Sequence, residues 1–352
     1  MRRLLLALGG LALVALAALL LGGRSRALAR RAPRATPAAR APAALAPAIA
    51  APGRGASPAS AAVALRGAWG ARPGEFGRRR DPESNPEAPM ALAAGAPGEL
   101  AVLDQVNRRV QRYRGGRLLA ILEVGGDTAA DLALGPEGRT VVLDRLADRT
   151  VQVYDPSGKL LSALPLVGPG VDEGGDTTGV FADDEGVYVE RQHGSSVRVA
   201  DVNGNADPNR PELLGRPSRD GRLLVQAEIA HRAAGECLLR ATDRPSGRLA
   251  WVQRLRAGQP IVHILMLDSD RRGNVYLAAD VGSENGADFA IVDERVVVAR
   301  FGLDGTPSGR LELPPWPAAE ETLRPMAVDD EGGVLVMVPQ EGGLQVLRYL
   351  FP

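Results

Sequence analysis

The residues best spaced for chemistry lie between positions 201 and 212, which read DVNGNADPNRPE. Oxygen-bearing side chains occupy alternate positions, as in loops that wrap a calcium ion with six to eight oxygen ligands. On this interpretation the calcium ligands include Asp201, Asn203, Asn205, Asp207 and Glu212. Two departures oppose it, because Ala206 stands where such loops need glycine and Pro208 stands where they need an apolar anchor. The alternative that we favour is an Asn-Gly hairpin turn between two strands.

The chain contains three histidines, His193, His231 and His263. Three imidazoles that converge on one point can hold a zinc ion. These three stand at different places within the repeating unit described below, so we expect separate structural roles instead. Only His263, at the start of the first strand of its unit, is placed to face a shared central channel, and we predict that it contacts a ligand.

Other chemical signatures are absent from the sequence, which has no nucleophile elbow, phosphate-binding loop, HExxH motif or redox cysteine pair. Cys237 is the only cysteine, which excludes an intramolecular disulfide and a zinc site built on cysteines. We therefore expect no cofactor apart from the calcium ion considered above, and we favour a protein that is not an enzyme.

The elements that must position these residues are short strands in a repeating unit. One turn and the strand after it recur six times, spaced by roughly 40 residues, as GAPGELAVLD, GPEGRTVVLD, DDEGVYVER, RDGRLLVQAE, RRGNVYLAAD and DEGGVLVMVP. Three or four short strands per unit, separated by Gly or Pro, are typical of a β-propeller blade. We predict an all-β, six-bladed β-propeller over residues 62–352.

The last unit of the chain lacks a fourth strand. It reads RPMAVDDEGGVLVMVPQEGGLQVLRYLFP and ends after three β-like runs. Just before the first unit stands AAVALRGAW, a β-like run without a partner of its own. We predict that residues 62–69 form the outer strand of the last blade, because this pairing would leave no open edge in the ring.

The first two units resemble NHL repeats, with GEFGRRRDPESNPEAPMALAAGAPGELAVLDQVNRRVQRY carrying the pattern down to Asn107-Arg108-Arg109-Val110-Gln111. The resemblance covers about residues 73–350, is specific in two units and is generic in the others. It implies a six-bladed propeller that either binds a protein or glycan, or acts as a metal-dependent lactonase or lyase in the mouth of its channel.

Two long loops are predicted on the face that propellers use for recognition, at residues 167–179 and 281–295. Both are acidic and rich in glycine, which suits a cation or a cationic partner. The alternative is a loop whose length has no functional meaning. The predicted ligand-binding residues are His263, Asp280, Glu284, Asp288, Asp172 and Glu173.

The N-terminal part of the chain has the composition of an export signal followed by a spacer. Within residues 1–23, two arginines precede an unbroken apolar run from Leu4 to Leu21, which predicts a signal peptide or a membrane anchor. Residues 24–61 are rich in Ala, Pro and Arg and are predicted to form a disordered linker. Both interpretations place the body outside the cytoplasm, in the periplasm or cell envelope or outside the cell. If the apolar run is retained, it anchors the protein to the inner membrane.

The formal net charge of zero divides unequally along the chain. Residues 1–80 hold fourteen arginines and one acid, whereas the remainder holds 28 basic and 41 acidic residues. An acidic body argues against nucleic-acid binding, because phosphates need a cationic surface. We predict an exported or membrane-tethered monomer that binds a protein or a glycan, with the metal-dependent lactonase or lyase as the alternative.

Overall fold

The computed structural model describes residues 60–126, 128–285, 291–315 and 320–352. The predicted export segment at 1–23 and nearly all of the linker at 24–61 lie outside these residues. The described chain consists of 24 strands and three short 3-10 segments, at Gln105–Asn107, Pro136–Gly138 and Gly174–Asp176. No helix in this described part is long and apolar enough to cross a membrane.

The strands form six four-stranded antiparallel sheets, which are the blades of a β-propeller. The first strand, β1 (Ala61–Ala68), belongs to the last blade. Blade 1 contains β2 (Ala91–Ala94), β3 (Glu99–Asp104), β4 (Arg109–Arg114) and β5 (Arg117–Glu123). Blade 2 contains β6 (Ala129–Leu134), β7 (Thr140–Asp144), β8 (Thr150–Tyr154) and β9 (Leu160–Pro165). Blade 3 contains β10 (Thr177–Ala182), β11 (Val187–Arg191), β12 (Ser195–Ala200) and β13 (Glu212–Leu213).

The second half of the ring follows the same pattern with longer strands. Blade 4 contains β14 (Arg216–Pro217), β15 (Leu223–His231), β16 (Glu236–Asp243) and β17 (Arg248–Arg256). Blade 5 contains β18 (Ile261–Ser269), β19 (Val275–Glu284), β20 (Ile291–Phe301) and β21 (Pro307–Leu313). Blade 6 contains β22 (Met326–Val328), β23 (Val334–Gln340) and β24 (Gly343–Tyr349), with β1 as its outer strand. The all-β, six-bladed fold predicted from the repeat is confirmed.

Blade 6 is assembled from the two ends of the described chain. Strand β1 pairs antiparallel with β24, from Ala61 opposite Tyr349 to Ala68 opposite Gly343. The indole of Trp69 donates hydrogen bonds to the carbonyl oxygens of Gln340 (2.8 Å) and Glu341 (3.0 Å). The ring is therefore closed by backbone pairing between the first and the last strand of the propeller.

The inner strands are mostly apolar because each sheet packs against a neighbour on both faces. β2 and β3 are buried at every position. Hydrophobic clusters fill the interfaces of blades 1 and 2, 2 and 3, 4 and 5, 5 and 6, and 6 and 1. The interface of blades 3 and 4 is different, since polar contacts bridge it. Arg244 of blade 4 pairs with Asp183 (2.5 Å) and donates to the Tyr188 hydroxyl (2.6 Å).

The antiparallel order gives the propeller two distinct faces. The turns that join first to second strands, and third to fourth strands, lie on one face, which we call the turn face. The loops that join second to third strands, and the connections between blades, lie on the opposite face, which we call the loop face. A central channel runs between the two faces and is surrounded by the first strand of every blade.

Candidate functional site

A cavity of about 460 Å³ opens at the loop-face end of the central channel, and we call it the mouth cavity. Residues of blades 2 to 6 line it. Its polar lining includes two arginines, four carboxylates and two histidines. Its apolar wall is formed by Ile229, Ile264, Leu265, Met266, Leu323 and Met326.

The floor of the mouth cavity is built from charged side chains and one aromatic ring. Phe181, Arg216, Asp268 and Arg324 line both the mouth cavity and a much smaller cavity of about 40 Å³ on its turn-face side. These four residues therefore separate the two spaces. The mouth cavity is a blind pocket on the loop face.

An ion pair in this floor joins blade 6 to blades 2 and 3. The Nη2 atom of Arg324 lies 2.5 Å from the Oδ2 atom of Asp131, and the same guanidinium donates to the carbonyl oxygens of Leu132 (3.1 Å) and Val180 (3.0 Å). Burial raises the pKa of Asp131, while the Arg324 charge and two backbone N–H donors oppose that rise. Burial also lowers the pKa of Arg324. Such a pair is costly to break, because either partner alone would be a buried, uncompensated charge.

A second ion pair joins blade 4 to blade 3. The guanidinium of Arg216 contacts both carboxylate oxygens of Glu190, at 3.0 and 3.1 Å. Burial raises the pKa of Glu190, but Arg216 and His193 lower it more, to about 2. The guanidinium carbons of Arg216 and Arg324 lie 4.1 and 4.7 Å from the centroid of the Phe181 ring. The aromatic ring is therefore covered by two cations, a favourable arrangement for its electron-rich face.

Each of the two cavity histidines is paired with a buried carboxylate. The Nδ1 atom of His193 lies 3.2 Å from Glu190 Oε2, and the Nδ1 atom of His263 lies 3.6 Å from Asp280 Oδ2. Both imidazoles are more than half exposed, whereas both carboxylates are almost fully buried. A carboxylate at Nδ1 fixes the ring and leaves Nε2 for a ligand or for proton transfer.

The carboxylate behind His263 belongs to a crowded acidic pair. Burial, followed by the charge of Glu294, raises the pKa of Asp280 to about 7. Burial lowers the pKa of His263. Near neutral pH the group behind His263 can therefore gain or lose a proton, whereas Glu190 behind His193 stays ionised.

A long side chain crosses between blades toward the turn-face end of the channel. Arg219 donates from Nη1 to the carbonyl oxygen of Ala94 (3.0 Å) and pairs through Nη2 with Asp268 (2.9 Å). It thereby connects blade 4 to blades 1 and 5. A separate cavity of about 330 Å³ lies beyond it on the turn face.

Of the residues predicted to bind calcium, Asp201, Asn203 and Asn205 lie in a hairpin turn, whereas Glu212 is on strand β13. One carboxylate oxygen of Asp201 accepts hydrogen bonds from the backbone N–H groups of Asn203 (2.8 Å) and Asn205 (3.0 Å). Asp207 pairs with Arg198 (2.7 Å) on blade 3 itself, and Glu212 lies 3.4 Å from Arg191. Across the described residues, no group of three or more His, Cys, Asp or Glu is arranged to hold a metal ion. The calcium interpretation stays a prediction.

The six residues predicted to bind a ligand are brought together only in part. His263 lines the mouth cavity and lies against Asp280. Glu284 is exposed at the end of β19, and Asp172 and Glu173 are exposed in the connection between blades 2 and 3, outside the cavity lining. Asp288 lies outside the described residues.

Most of the charged lining of the cavity was not predicted from the sequence, namely Asp131, Glu190, Arg216, Glu228, Asp268 and Arg324, together with His193, for which a structural role was expected. One signal was present. Arg216-Pro217 opens the first strand of blade 4, and Arg324-Pro325 directly precedes the first strand of blade 6. A repeated Arg-Pro at the entry of two inner strands marks side chains that reach the channel. Asp131 was also visible as an acid inside the apolar run AADLAL.

No protein-family model matches the chain, and no curated protein matches it. Solved structures do match, 242 chains in all. They include a chain of the mitotic checkpoint complex, with 11% identity and a TM-score of 0.46 over 87% of this chain and 99% of that one. A streptogramin B lyase has 11% identity and a TM-score of 0.41 over 78% and 96%. A gluconolactonase from Xanthomonas campestris has 15% identity and a TM-score of 0.40 over 86% and 99%. At such low identities the likeness concerns the fold alone, and the NHL resemblance stays a prediction.

Proposed function

We propose that this protein is an exported, membrane-tethered recognition module that binds a protein segment in the mouth cavity. The observation that carries the proposal is the cavity itself, a blind pocket of about 460 Å³ with an apolar wall and a charged floor. Pockets of this size and mixed lining on rigid scaffolds are the usual ligand sites of proteins. The export and the tether rest on the apolar run and the Ala/Pro/Arg-rich linker of the N-terminal sequence.

The charges of the cavity favour a cationic group on the partner. Four carboxylates and two guanidiniums line it, which leaves two negative charges in excess. The guanidiniums of Arg216 and Arg324 are already engaged by Glu190 and Asp131. Glu228 is exposed at the cavity, and among the described residues it has no ion-pair partner. An arginine or lysine side chain of the partner would supply one.

The apolar wall favours a protein segment over a glycan. Sugars commonly stack on exposed aromatic rings, but among the described residues Phe181 is the only aromatic residue of the cavity lining, and two guanidiniums cover it. Ile264, Leu265 and Met266 instead offer a surface for an aliphatic or aromatic side chain. The ligand that fits is therefore a basic side chain next to an apolar one.

The experiment is a fluorescence anisotropy titration with a labelled peptide that contains a central arginine flanked by leucines. We expect binding, with at least about threefold weaker affinity when citrulline replaces the arginine, because the charge is lost and the shape is kept. The Glu228→Gln variant should bind the arginine peptide with an affinity that is weaker by a similar factor. Glu137→Gln, an exposed carboxylate on the turn face, is the matched control and should bind like the unchanged protein.

Two results would contradict the proposal. One is binding of a neutral oligosaccharide without binding of the peptide. The other is an equal effect of Glu228→Gln and Glu137→Gln, because the cavity would then play no part in binding.

A second candidate function, a lyase or lactonase in the same cavity, is favoured by the two imidazole–carboxylate pairs. His193 and His263 could act as general acid and base, since each has its Nδ1 atom beside a carboxylate. The test is a panel of lactones and cyclic esters, with His193→Gln and His263→Gln as variants. Turnover that both variants abolish, while both still bind the peptide, would establish the enzyme. Turnover by neither the variants nor the unchanged protein would remove this candidate.

A further inference from the structure

The outer strands of the six blades differ in the apolar surface that they expose. On β1, β5 and β9, of blades 6, 1 and 2, six large apolar side chains are between 37% and 51% exposed. They are Val63, Leu118, Leu119, Ile121, Leu160 and Leu161. The outer strands of blades 3, 4 and 5 carry one such side chain among the described residues, Leu249 of β17, and Leu214 directly follows the two-residue strand β13. The half of the rim formed by blades 6, 1 and 2 is therefore the more apolar one, and we call β1, β5 and β9 with these side chains the apolar rim.

The three strands of the apolar rim form one continuous edge. The turn before β5 lies against β1, since a Cβ atom on Gly116 would stand 3.5 Å from the carbonyl oxygen of Ala64. The turn before β9 lies against β5 in the same way, with Gly158 close to Leu122. Neighbouring apolar strands without a gap between them make a patch larger than scattered surface leucines provide.

Most of the exposed side chains lie at the turn-face end of these strands. Leu118 and Leu160 each follow directly after the turn between the third and fourth strands of their blades. The start of β1 also lies at the turn face. Ala61 is opposite Tyr349, and Tyr349 is opposite Val334, which directly follows the turn-face turn between β22 and β23. Leu350, 55% exposed, follows Tyr349 at this level. The mouth cavity lies at the opposite end of the propeller.

Unpaired cations accompany this apolar surface. Arg66 lies on β1, Arg117 begins β5, and Lys159 precedes β9 directly. All three are exposed, and within the described residues none of them has an ion-pair partner. On the opposite rim, Arg254 and Arg256 of β17 share Glu236 and Arg310 of β21 pairs with Glu312. Among the described residues of that rim, Arg248 at the start of β17 is exposed and has no ion-pair partner. Apolar side chains beside free basic groups suit the interface of an anionic bilayer.

The position at which the described chain begins points to the same surface. The described residues start at 60, directly before β1, so the preceding 59 residues join the propeller at the turn-face end of the apolar rim. Those residues include the apolar run from Leu4 to Leu21. A membrane anchor in that run would be connected to the propeller at this edge.

We propose that the apolar rim rests on the surface of an anionic membrane, so that the loop face and its mouth cavity point away from the bilayer. The proposal rests on the membrane tether of the proposed function. Leucine side chains enter the headgroup region, and Arg66, Arg117 and Lys159 meet lipid phosphates. The tether keeps the propeller near the membrane, while the apolar rim determines how the propeller is oriented on it.

The test uses the full chain in vesicles of phosphatidylcholine and phosphatidylglycerol, with an environment-sensitive fluorophore on a single introduced cysteine. Cys237 is buried, so it does not compete for the label. Leu119→Cys places the probe on the apolar rim. Leu249→Cys is the matched control, because Leu249 has similar exposure and is the second residue of its outer strand, as Leu119 is the third of β5, but it lies on blade 4 across the ring. Leu160→Cys gives a second rim position, and thermal unfolding checks that each variant is folded.

We expect lipid-borne nitroxide to quench the probe at positions 119 and 160 at least about threefold more than at 249. The difference should shrink in vesicles of phosphatidylcholine alone, and also when Arg117 and Lys159 are replaced by Gln. Equal quenching at all three positions in chains that float with the vesicles would overturn the proposal and leave the tether intact. Chains that do not float at all would overturn both.

Discussion

The interface between blades 3 and 4 and the interface between blades 4 and 5 are built on different physical principles. The second is a hydrophobic cluster of fully buried side chains, among them Leu239, Leu255 and Leu277. The first is bridged by Arg244 with Asp183 and Tyr188, and by Arg216 with Glu190. Apolar side chains stabilise an interface by filling it, whereas long charged side chains can span a gap and leave space beside them.

The difference explains the position of the candidate site. The mouth cavity is lined by residues from both sides of the polar interface, including Glu190, His193, Arg216 and Glu228. A propeller that packed all six interfaces with leucine and valine would leave less room at this place. At the polar interface, Arg216 and Glu190 therefore both bridge two blades and line the candidate site.

The largest effect is expected for Arg244→Ala, which leaves the buried carboxylate of Asp183 without its partner. Removal of one member of a buried ion pair costs about 3–5 kcal/mol, which should lower the melting temperature by at least about 6 °C. Leu239→Ala at the apolar interface costs a comparable amount, about 2–5 kcal/mol, through a cavity. The loss at the polar interface should be reversible by a second substitution. The double variant Arg244→Met with Asp183→Asn should regain much of the melting temperature that Arg244→Ala loses, because neither buried charge remains. No recovery would mean that Arg244 acts mainly through packing.

The second-largest effect is expected on the stability of the fold at acidic pH. Since the pKa of Glu190 in the folded protein is lowered from 4.5 to about 2, its ionised form stabilises the fold above pH 4.5. That stability, about 3 kcal/mol, is lost as the pH falls from about 4.5 to about 2. Glu190→Gln should remove the stabilisation at pH 7 and flatten this part of the pH profile, as measured by thermal unfolding. Leu239→Ala is the control and should keep the slope of the unchanged protein; a slope unaltered by Glu190→Gln would exclude this role.

The smallest effect is expected at Asp280, on the blade 5 side of the cavity. Its pKa is raised to about 7, so its protonated form favours folding, and this contribution is lost as the pH rises from about 4 through 7. Asp280→Asn replaces the acid with a neutral amide. We expect it to raise the melting temperature at pH 8 by about 2–4 °C and to change little at pH 4. A variant that is destabilised equally at both pH values would disprove the proton-linked role.

The fold was accessible from the sequence because a blade is a local pattern. Each unit contains the residues of its own turns and strands. Strands that follow each other along the chain pair in every blade, apart from β1 in blade 6. Even the outer strand of blade 6 was foreseeable, since the last unit lacked a strand and residues 62–69 lacked a partner; β1 occupies Ala61–Ala68. The conformation of the 201–212 segment could be argued from its Asn-Gly dipeptide.

The site was less accessible, because its contacts join residues far apart in the chain. Arg324 and Asp131 are separated by 193 positions, and Arg216 and Glu190 by 26. Of the predicted ligand-binding residues, only His263 lines the cavity, and Asp280, on the paired strand of the same blade, lies behind it. Asp172, Glu173 and Glu284 were predicted from the acidic composition of their segments, but they lie outside the cavity lining, and Glu284 ends strand β19.

The sequence by itself determined that short strands repeat six times and must stack, because the period of apolar residues and the placement of turns are local properties of the chain. The tertiary structure alone decided which charges meet at the axis, which interface is polar and which half of the rim is apolar. These depend on where each blade stands in the ring, and burial of a charge is favourable only when that position brings a partner to it.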